Sequence, residues 1–207
     1  MIVVIPTCKK IADVQLLVKE IRDYTPASIP IIPTCSDASA AVNRNIGLNN
    51  AKNGEVVIMA DDDMTGFFNN WYNILTAPLI HFPDVCAVSA RLLNTSGKLG
   101  PMIGCNKNID DAYIEAESVM PSACIAFVNN GLRFDENFIG SGFEDTDFMR
   151  QLLTHNPGYR LIVNNRCRLI HKHEMKNQGG QFFEHNKNYF CDKWQDETYR
   201  DMKPYVK

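Results

Sequence analysis

Three consecutive carboxylates, Asp61, Asp62 and Asp63, follow an apolar run at residues 56–60. That run is short, continuous and apolar, as expected of a buried strand. In an open α/β sheet, ligands bind outside the carboxyl ends of the strands, and carboxylate oxygens there suit Mg²⁺ or Mn²⁺. Asp61 and Asp63 share a face of an extended backbone, whereas Asp62 faces the opposite way. The three residues could instead form a solvated acidic turn. The other motifs of the chain help to decide between a metal site and such a turn.

Two later groups of polar residues could act beside such a metal. Glu144 and Asp145 begin a predicted helix, and His171 and His173 follow an apolar pair at residues 169–170. Two histidines that are two positions apart on an extended strand lie on the same face. An imidazole ligand would favour Mn²⁺ over Mg²⁺.

Seven cysteines constitute an odd number and include no pair separated by only two residues. Their spacing therefore indicates reduced thiols in a cytoplasmic protein rather than a disulfide framework. A zinc site formed by Cys167, His171, His173 and Cys191 is the alternative. We consider it the weaker one, because structural zinc sites usually contain closely spaced cysteine pairs.

Composition describes an ordinary globular protein: 207 residues, of which 45% are hydrophobic and 22% charged. One domain is expected at this length. The apolar runs are far shorter than the roughly 20 residues of a membrane-spanning helix, and the N-terminus lacks a secretory signal pattern. A net charge of −3 argues against an extended nucleic-acid surface. The sequence leaves the oligomeric state open.

Strands and helices alternate in the first sixty residues. Hydrophobic periodicity predicts strands at 2–5, 29–32 and 56–60, with helices at 11–21 and 38–52 between them. Such alternation implies parallel strands joined by right-handed crossovers, and therefore an α/β sheet covered on both faces. Ser36 or Asp37 is the expected N-cap of the second helix.

The later elements are less regular. We predict a helix at 67–79, a loop or hairpin at 94–108, and strands at 85–92, 124–128, 161–163 and 168–170. Ser141 stands three residues before Glu144, which is the spacing of a helix capping box. Aromatic residues interleaved with charges after residue 181 predict a C-terminal tail, 181–207, packed on a domain of residues 1–180.

The order of four segments, residues 5–7, 43–47, 57–63 and 142–148, resembles the family 2 glycosyltransferases of GT-A fold. Residues 137–147 also resemble the acceptor-site segment of the β-1,4-galactosyltransferases, and residues 166–171 resemble their segment leading to a metal-binding histidine. The resemblance implies a Rossmann-like GT-A fold, with a mostly parallel sheet between helices, and transfer with inversion from a nucleotide-sugar donor.

The resemblance assigns metal binding to the acidic triplet and one histidine. Asp63 would be the direct ligand of Mn²⁺ or Mg²⁺, and Asp61 would lie nearer the ribose or a metal-bound water. Asp62 would contribute least. Between the two histidines, the position at the end of the 168–170 run favours His171 over His173.

The general base would be Asp145, which takes the proton of the attacking acceptor hydroxyl. Its place in the first turn of a helix favours the ionised form. Glu144 would hydrogen-bond acceptor hydroxyls, and Asp147 would support the helix. A purely structural role in capping is the alternative for these acids.

Nucleotide contacts are expected from Pro6, Thr7, Asp37 and Arg44. A UDP-sugar is the predicted donor, although residues 33–37 retain only Asp37 of the acidic pair usual near the uracil. The acceptor could be a glycan, a protein, a lipid-linked sugar or a modified nucleobase. Two other functions remain open: a sugar nucleotidyltransferase, and a catalytically silent module that binds nucleotide sugars or glycans.

Overall fold

The computed structural model of the protein describes residues 1–100, 110–172 and 182–203. Its strands are β1 (Ile2–Thr7), β2 (Ile31–Cys35), β3 (Val56–Ala60), β4 (Met64–Thr65), β5 (Val85–Leu93), β6 (Tyr113–Ala116), β7 (Cys124–Val128) and β8 (Arg160–His171). The α-helices are α1 (Ile11–Asp23), α2 (Ala40–Leu48), α3 (Trp71–His81), α4 (Glu144–His155) and α5 (Phe183–Trp194). A 3₁₀ turn at Glu197–Tyr199 follows α5.

The strands form one mixed sheet in the order β2-β1-β3-β7-β5-β8-β4, and β6 pairs with β8. The first three strands are parallel, as the alternation of strands and helices predicts. β5 and β8 are also parallel, but β7 runs antiparallel to both of its neighbours. The α/β class is therefore confirmed, whereas the expectation of a mostly parallel sheet holds only for these two groups of strands.

Alternate residues of β1 face the two sides of the sheet, and each side has its own hydrophobic core. Val3 and Ile5 belong to the core that also contains residues of α1 and α3. Ile2 and Val4 belong to the core that contains residues of α2 and α4. Helices thus cover both faces, as the sequence predicts.

Gly47 allows α2 to lie very close to β1. A Cβ atom at this position would stand 2.1 Å from Val4 Cγ1. The close approach brings α2, which carries Arg44, against the sheet.

The structure corrects several element boundaries. β8 is one continuous strand, not two short ones, and β4 and β6 were not predicted. Residue Ser39, rather than Ser36 or Asp37, caps α2: its side chain accepts a hydrogen bond from the Val42 amide. The predicted loop at 94–108 begins with a turn that brings Leu93 and Leu99 together, and its residues 101–109 lie outside the described residues.

The capping box proposed for α4 is not present. Phe143, in the left-handed region at φ 68°, precedes the helix and makes no side-chain cap. Glu144 instead turns back to accept a hydrogen bond from the Gly142 amide. The start of α4 is therefore held by its surroundings rather than by Ser141.

The C-terminal helix α5 packs on the segment that leads into α4. Phe138, Phe143, Phe190 and Cys191 form a small buried cluster there. Within the described ranges, no helix combines the length and the apolar character needed to cross a membrane.

Candidate active site

The candidate site lies where the parallel strands end. β1 ends at Thr7, β2 at Cys35 and β3 at Ala60, so the segments that follow these strands meet at one edge of the sheet. After β3 the chain turns and forms β4, in which Met64 pairs with His171 of β8. The short strand β4 therefore brings the acidic triplet to the end of β8.

Asp61, Asp63 and His171 form the potential metal centre. Each offers one ligand atom, and these atoms all lie within 4.8 Å of one another. The Nε2 atom of His171 is 3.1 Å from Asp63 Oδ1, and the Lys172 amide donates to the backbone oxygen of Asp63 at 3.0 Å. Two carboxylates and one imidazole fit a divalent cation such as Mn²⁺. His173, the other candidate ligand, lies outside the described residues.

The pKa shifts in this centre reflect the burial of Asp61, its repulsion by Asp63 and the attraction between Asp63 and His171. Burial raises the pKa of Asp61 to about 6, with Asp63 adding to the rise and Arg44 opposing it. Burial tends to lower the pKa of His171, but its contact with Asp63 outweighs that effect and raises the pKa. Like charges held this close repel each other, and a cation between them would remove that repulsion.

Asp62 faces away from the metal cluster, as its middle position predicts. The Thr7 hydroxyl donates to Asp62 Oδ2, and Lys9 Nζ lies 2.7 Å from Asp62 Oδ1. The Thr7 hydroxyl oxygen also accepts from the Lys9 amide at 2.9 Å. Asp62 therefore fixes the loop after β1 beside the acidic triplet.

Arg44 joins the two acidic clusters. Its side chain is buried, and its Nη1 donates to Glu144 Oε1 while its Nη2 lies 3.4 Å from Asp61 Oδ1. Burial alone would lower the pKa of Arg44, but the neighbouring carboxylates raise it well above the ordinary value. The Phe134 ring lies beneath the guanidinium, 5.3 Å away. Arg44 thus stays charged between Asp61 and Glu144.

The two acids at the start of α4 have different surroundings. Glu144 is only 3% exposed, and both of its oxygens have partners, Arg44 and the Gly142 amide. Asp145 is half-buried; its Oδ2 accepts from the Ser122 hydroxyl and its Oδ1 from the Thr146 amide at 2.8 Å. Each carboxylate oxygen has two lone pairs, so Asp145 keeps acceptor capacity on a side chain that a substrate can reach. The acceptor contact assigned to Glu144 stays a prediction.

Three other residues that the sequence analysis considers, Pro6, Asp37 and Asp147, are not part of the metal cluster. Pro6 is buried near the end of β1, and Asp37 is exposed in the segment after β2. Their contacts with a nucleotide stay predictions. Asp147 is fully buried, and its Oδ1 accepts from Trp194 Nε1 at 2.8 Å. Asp147 therefore fastens α5 to α4, in line with its predicted supporting role.

In the part of the chain that the structure describes, Cys167, His171 and Cys191 do not form a cluster that could hold zinc. Cys167 and Cys191 belong to different hydrophobic clusters. Burial raises the pKa of the Cys167 thiol to about 12, so this thiol is protonated at neutral pH.

Sequence reasoning missed two residues that contact this region, Ser122 beside Asp145 and Asn186 on α5. No motif marks either one. Ser122 lies in an irregular stretch before β7, and Asn186 lies in the C-terminal tail, outside the segments that carry the family resemblance.

Comparisons with known proteins support the fold. The chain matches no protein-family model and no curated protein sequence. Among solved structures it is similar to GalNAc-T7 with UDP, GalNAc and Mn²⁺, at TM-score 0.67 and 15% identity over 100% of this chain and 51% of that one. It is also similar to the mannosyltransferase PcManGT from Pyrobaculum calidifontis with GDP-Man and Mn²⁺, at TM-score 0.57 and 17% identity over 98% and 65% of the two chains.

A third similar structure is the β-1,4-galactosyltransferase 7 of Drosophila with manganese, UDP-Gal and xylobiose, at TM-score 0.53 and 11% identity. That match covers 84% of this chain and 71% of the other. The chain spans only about half the length of the GalNAc-T7 structure. At these identities the likeness concerns architecture, and it shows that this chain has the GT-A fold of nucleotide-sugar glycosyltransferases.

Proposed function

We propose that this protein is a metal-dependent, inverting glycosyltransferase that transfers a sugar from a nucleoside diphosphate donor to an acceptor hydroxyl. The observation that carries the proposal is the convergence of two groups at one end of the sheet. The metal cluster of Asp61, Asp63 and His171 is joined to the helix start bearing Asp145 through a single buried residue, Arg44.

The role we assign to the metal cluster is stabilisation of the leaving group. A divalent cation held by Asp61, Asp63 and His171 would neutralise the negative charge that builds on the nucleoside diphosphate as the glycosidic bond breaks. Pro6, Thr7 and Asp37 line the ends of β1 and β2, where the nucleoside would bind. Asp62 holds the loop that begins at Thr7 through its hydrogen bonds.

The role we assign to Asp145 is that of general base for the acceptor hydroxyl. Its carboxylate accepts the proton of the hydroxyl as that oxygen attacks the anomeric carbon, opposite the departing diphosphate, and the configuration inverts. The Ser122 hydroxyl and the Thr146 amide hold the carboxylate in one orientation. Arg44 and Glu144 fix the first turn of α4 relative to Asp61. If Glu144 contacts the acceptor, it would do so while still paired with Arg44.

A UDP-sugar is the donor we propose. The GalNAc-T7 and galactosyltransferase structures contain UDP or UDP-Gal, and PcManGT contains GDP-Man, each with manganese. The acceptor class stays open among a glycan, a protein, a lipid-linked sugar and a modified nucleobase.

The test is a set of donors measured with and without Mn²⁺. UDP-glucose, UDP-galactose, UDP-N-acetylglucosamine and GDP-mannose are compared by thermal unfolding and by release of the nucleoside diphosphate without acceptor. A ligand at 100 times its dissociation constant stabilises the fold by about 2.7 kcal/mol. We expect such a shift, and slow hydrolysis, for a UDP-sugar only when Mn²⁺ is present.

Equal thermal shifts with and without the metal would contradict the metal-bridged donor. Binding without any turnover would instead support a silent binding module. Formation of a nucleoside triphosphate from a sugar nucleotide and pyrophosphate would support a nucleotidyltransferase.

A further inference from the structure

The loop that leads into α4 contains three residues with left-handed backbone, and one of them, Phe143, is not a glycine. Gly140, Gly142 and Phe143 all lie in the left-handed region, with φ of 63°, 108° and 68°. A non-glycine residue in this region costs on the order of 1 to 3 kcal/mol and persists only where its surroundings hold it. Since Glu144 and Asp145 follow directly, the conformation of this loop decides where both carboxylates stand.

Asn186 of α5 is the side chain that holds the loop most directly. It is fully buried. Its Nδ2 donates to the backbone oxygens of Ile139 at 2.8 Å and Gly142 at 3.0 Å, with Ser141 O at 3.4 Å, and its Oδ1 accepts from the Ile139 amide at 3.0 Å. One side-chain amide therefore satisfies both ends of the segment 139–142.

Two further contacts hold the centre of the same loop. The Ala40 amide at the start of α2 donates to the Gly140 oxygen at 2.8 Å. A Cβ atom on Gly140 would lie 2.5 Å from Phe182 Cδ2, so the Phe182 ring lies directly against the glycine. The loop is thus held between α2, which carries Arg44, and the start of the C-terminal helix.

We propose that Asn186 is a positioning residue for the acids of α4. It fixes the loop 139–142 and with it the Gly142 amide that binds Glu144, the Glu144–Arg44 pair and the orientation of Asp145. This inference rests on the proposed glycosyltransferase function. It makes the C-terminal helix a part of the machinery for the reaction, although α5 contributes no residue to the metal cluster found among the described residues.

Loss of Asn186 should affect turnover more than donor binding. The metal cluster and the ends of β1 and β2 belong to other elements, and only Arg44 connects them to α4, so the donor KM should change much less than kcat. Displacement of a reacting group by about 1 Å can cost on the order of 10²-fold in rate. We therefore expect Asn186→Ala to lower kcat by about ten- to a hundredfold in the folded protein.

The test compares Asn186→Ala with Tyr189→Phe in the full chain. Tyr189 also lies on α5, but its hydroxyl bonds to Asp135 at 2.8 Å rather than to the loop 139–142. The probe is Mn²⁺ with the UDP-sugar that the wild type hydrolyses fastest, and the readouts are kcat, donor KM and hydrogen exchange at the amides of residues 139–143. Asn186→Ser, whose hydroxyl can keep one hydrogen bond, replaces the alanine variant if that variant does not fold.

We expect kcat to fall much more than the donor KM changes, and exchange to become faster, in the Asn186 variant, with none of these changes in Tyr189→Phe. An unchanged kcat, or an equal loss in Tyr189→Phe, would overturn the proposal. If the wild type hydrolyses none of the donors, the glycosyltransferase function fails and the catalytic role of Asn186 fails with it. The exchange measurement still decides separately whether Asn186 holds the loop.

Discussion

Arg44 and Glu144, separated by 100 positions in the chain, form a buried ion pair between α2 and α4. The other amino group of the guanidinium lies 3.4 Å from Asp61. One buried cation therefore links the acidic triplet after β3 to the acids that begin α4. The pair explains how two segments far apart in sequence keep a fixed relative position in the site.

Arg44→Gln should destabilise the fold strongly. Removing one partner of a buried ion pair typically costs about 3 to 5 kcal/mol, because the other charge is left without compensation. Burial already raises the pKa of Glu144, and Arg44 opposes that rise. Without Arg44 the folded-state pKa rises further above the unfolded value of about 4.3, so the folded protein loses stability as the pH increases. Urea unfolding should show a larger penalty at pH 8 than at pH 5.

The double variant Arg44→Gln with Glu144→Gln is the control. Replacing both charges removes the unpaired carboxylate, so a large part of the lost stability should return and the pH dependence should shrink. Additive losses in the double variant would show that the pair does not act as one unit.

Asp63→Ala and His171→Ala should each weaken metal-dependent donor binding, because each removes one of the three ligand atoms grouped in the site. Asp62→Ala should do less to the metal, since its carboxylate bonds to Thr7 and Lys9 instead. The measurement is the Mn²⁺-dependent thermal shift produced by a UDP-sugar.

His173→Ala is the comparison that separates the two histidines. A loss of metal-dependent donor binding in that variant, with His171→Ala unaffected, would assign the metal-ligand role to His173 instead of His171. Full metal dependence in both Asp63→Ala and His171→Ala would place the metal elsewhere.

Much of the fold, and the grouping of Asp61, Asp63 and His171, could be predicted because the signals are local. The apolar strand at Val56–Ala60 and the acids after it are adjacent in sequence. The strand β7 was predicted, but its antiparallel direction and the strand β4 were not, because both depend on partners distant in the sequence. β4 is only two residues long and exists through its contact with the end of β8.

The contacts that orient the acids of α4 could not be predicted for the same reason. Arg44 was expected beside the nucleotide, but its partner Glu144 becomes apparent only when α2 and α4 are packed on the same face of the sheet. Ser122 and Asn186 carry no motif, and their role depends on where β7 and α5 come to lie.

Asp135 should support stability in moderate acid. Burial alone would raise its pKa, but hydrogen bonds from Lys193, the Asn137 amide and Tyr189 lower it to about 2. Because the folded-state pKa is depressed, the stabilisation is present above the unfolded pKa of about 3.9 and is lost as the pH falls toward 2. Asp135→Asn should therefore be less stable than the wild type at pH 6, and the difference in the free energy of unfolding should shrink between about pH 4 and pH 2.

A pH-independent difference between Asp135→Asn and the wild type, measured by urea unfolding, would show that the charge of Asp135 does not contribute. Lys193 is the partner to examine next, because its Nζ lies 2.7 Å from both Asp135 and Asp147.

The most direct test of the mechanism is the turnover of Asp145→Asn. The asparagine keeps the shape of the side chain but cannot accept the proton, and the residue lies outside the metal cluster. With Mn²⁺ and a saturating UDP-sugar, transfer to an acceptor should fall by about 10² to 10⁴ while donor affinity stays nearly the same. A purely structural role at the helix N-terminus predicts instead a loss of about 0.3 to 1 kcal/mol in stability with turnover intact. Retained transfer in the folded Asp145→Asn protein would contradict the assignment of Asp145 as the base.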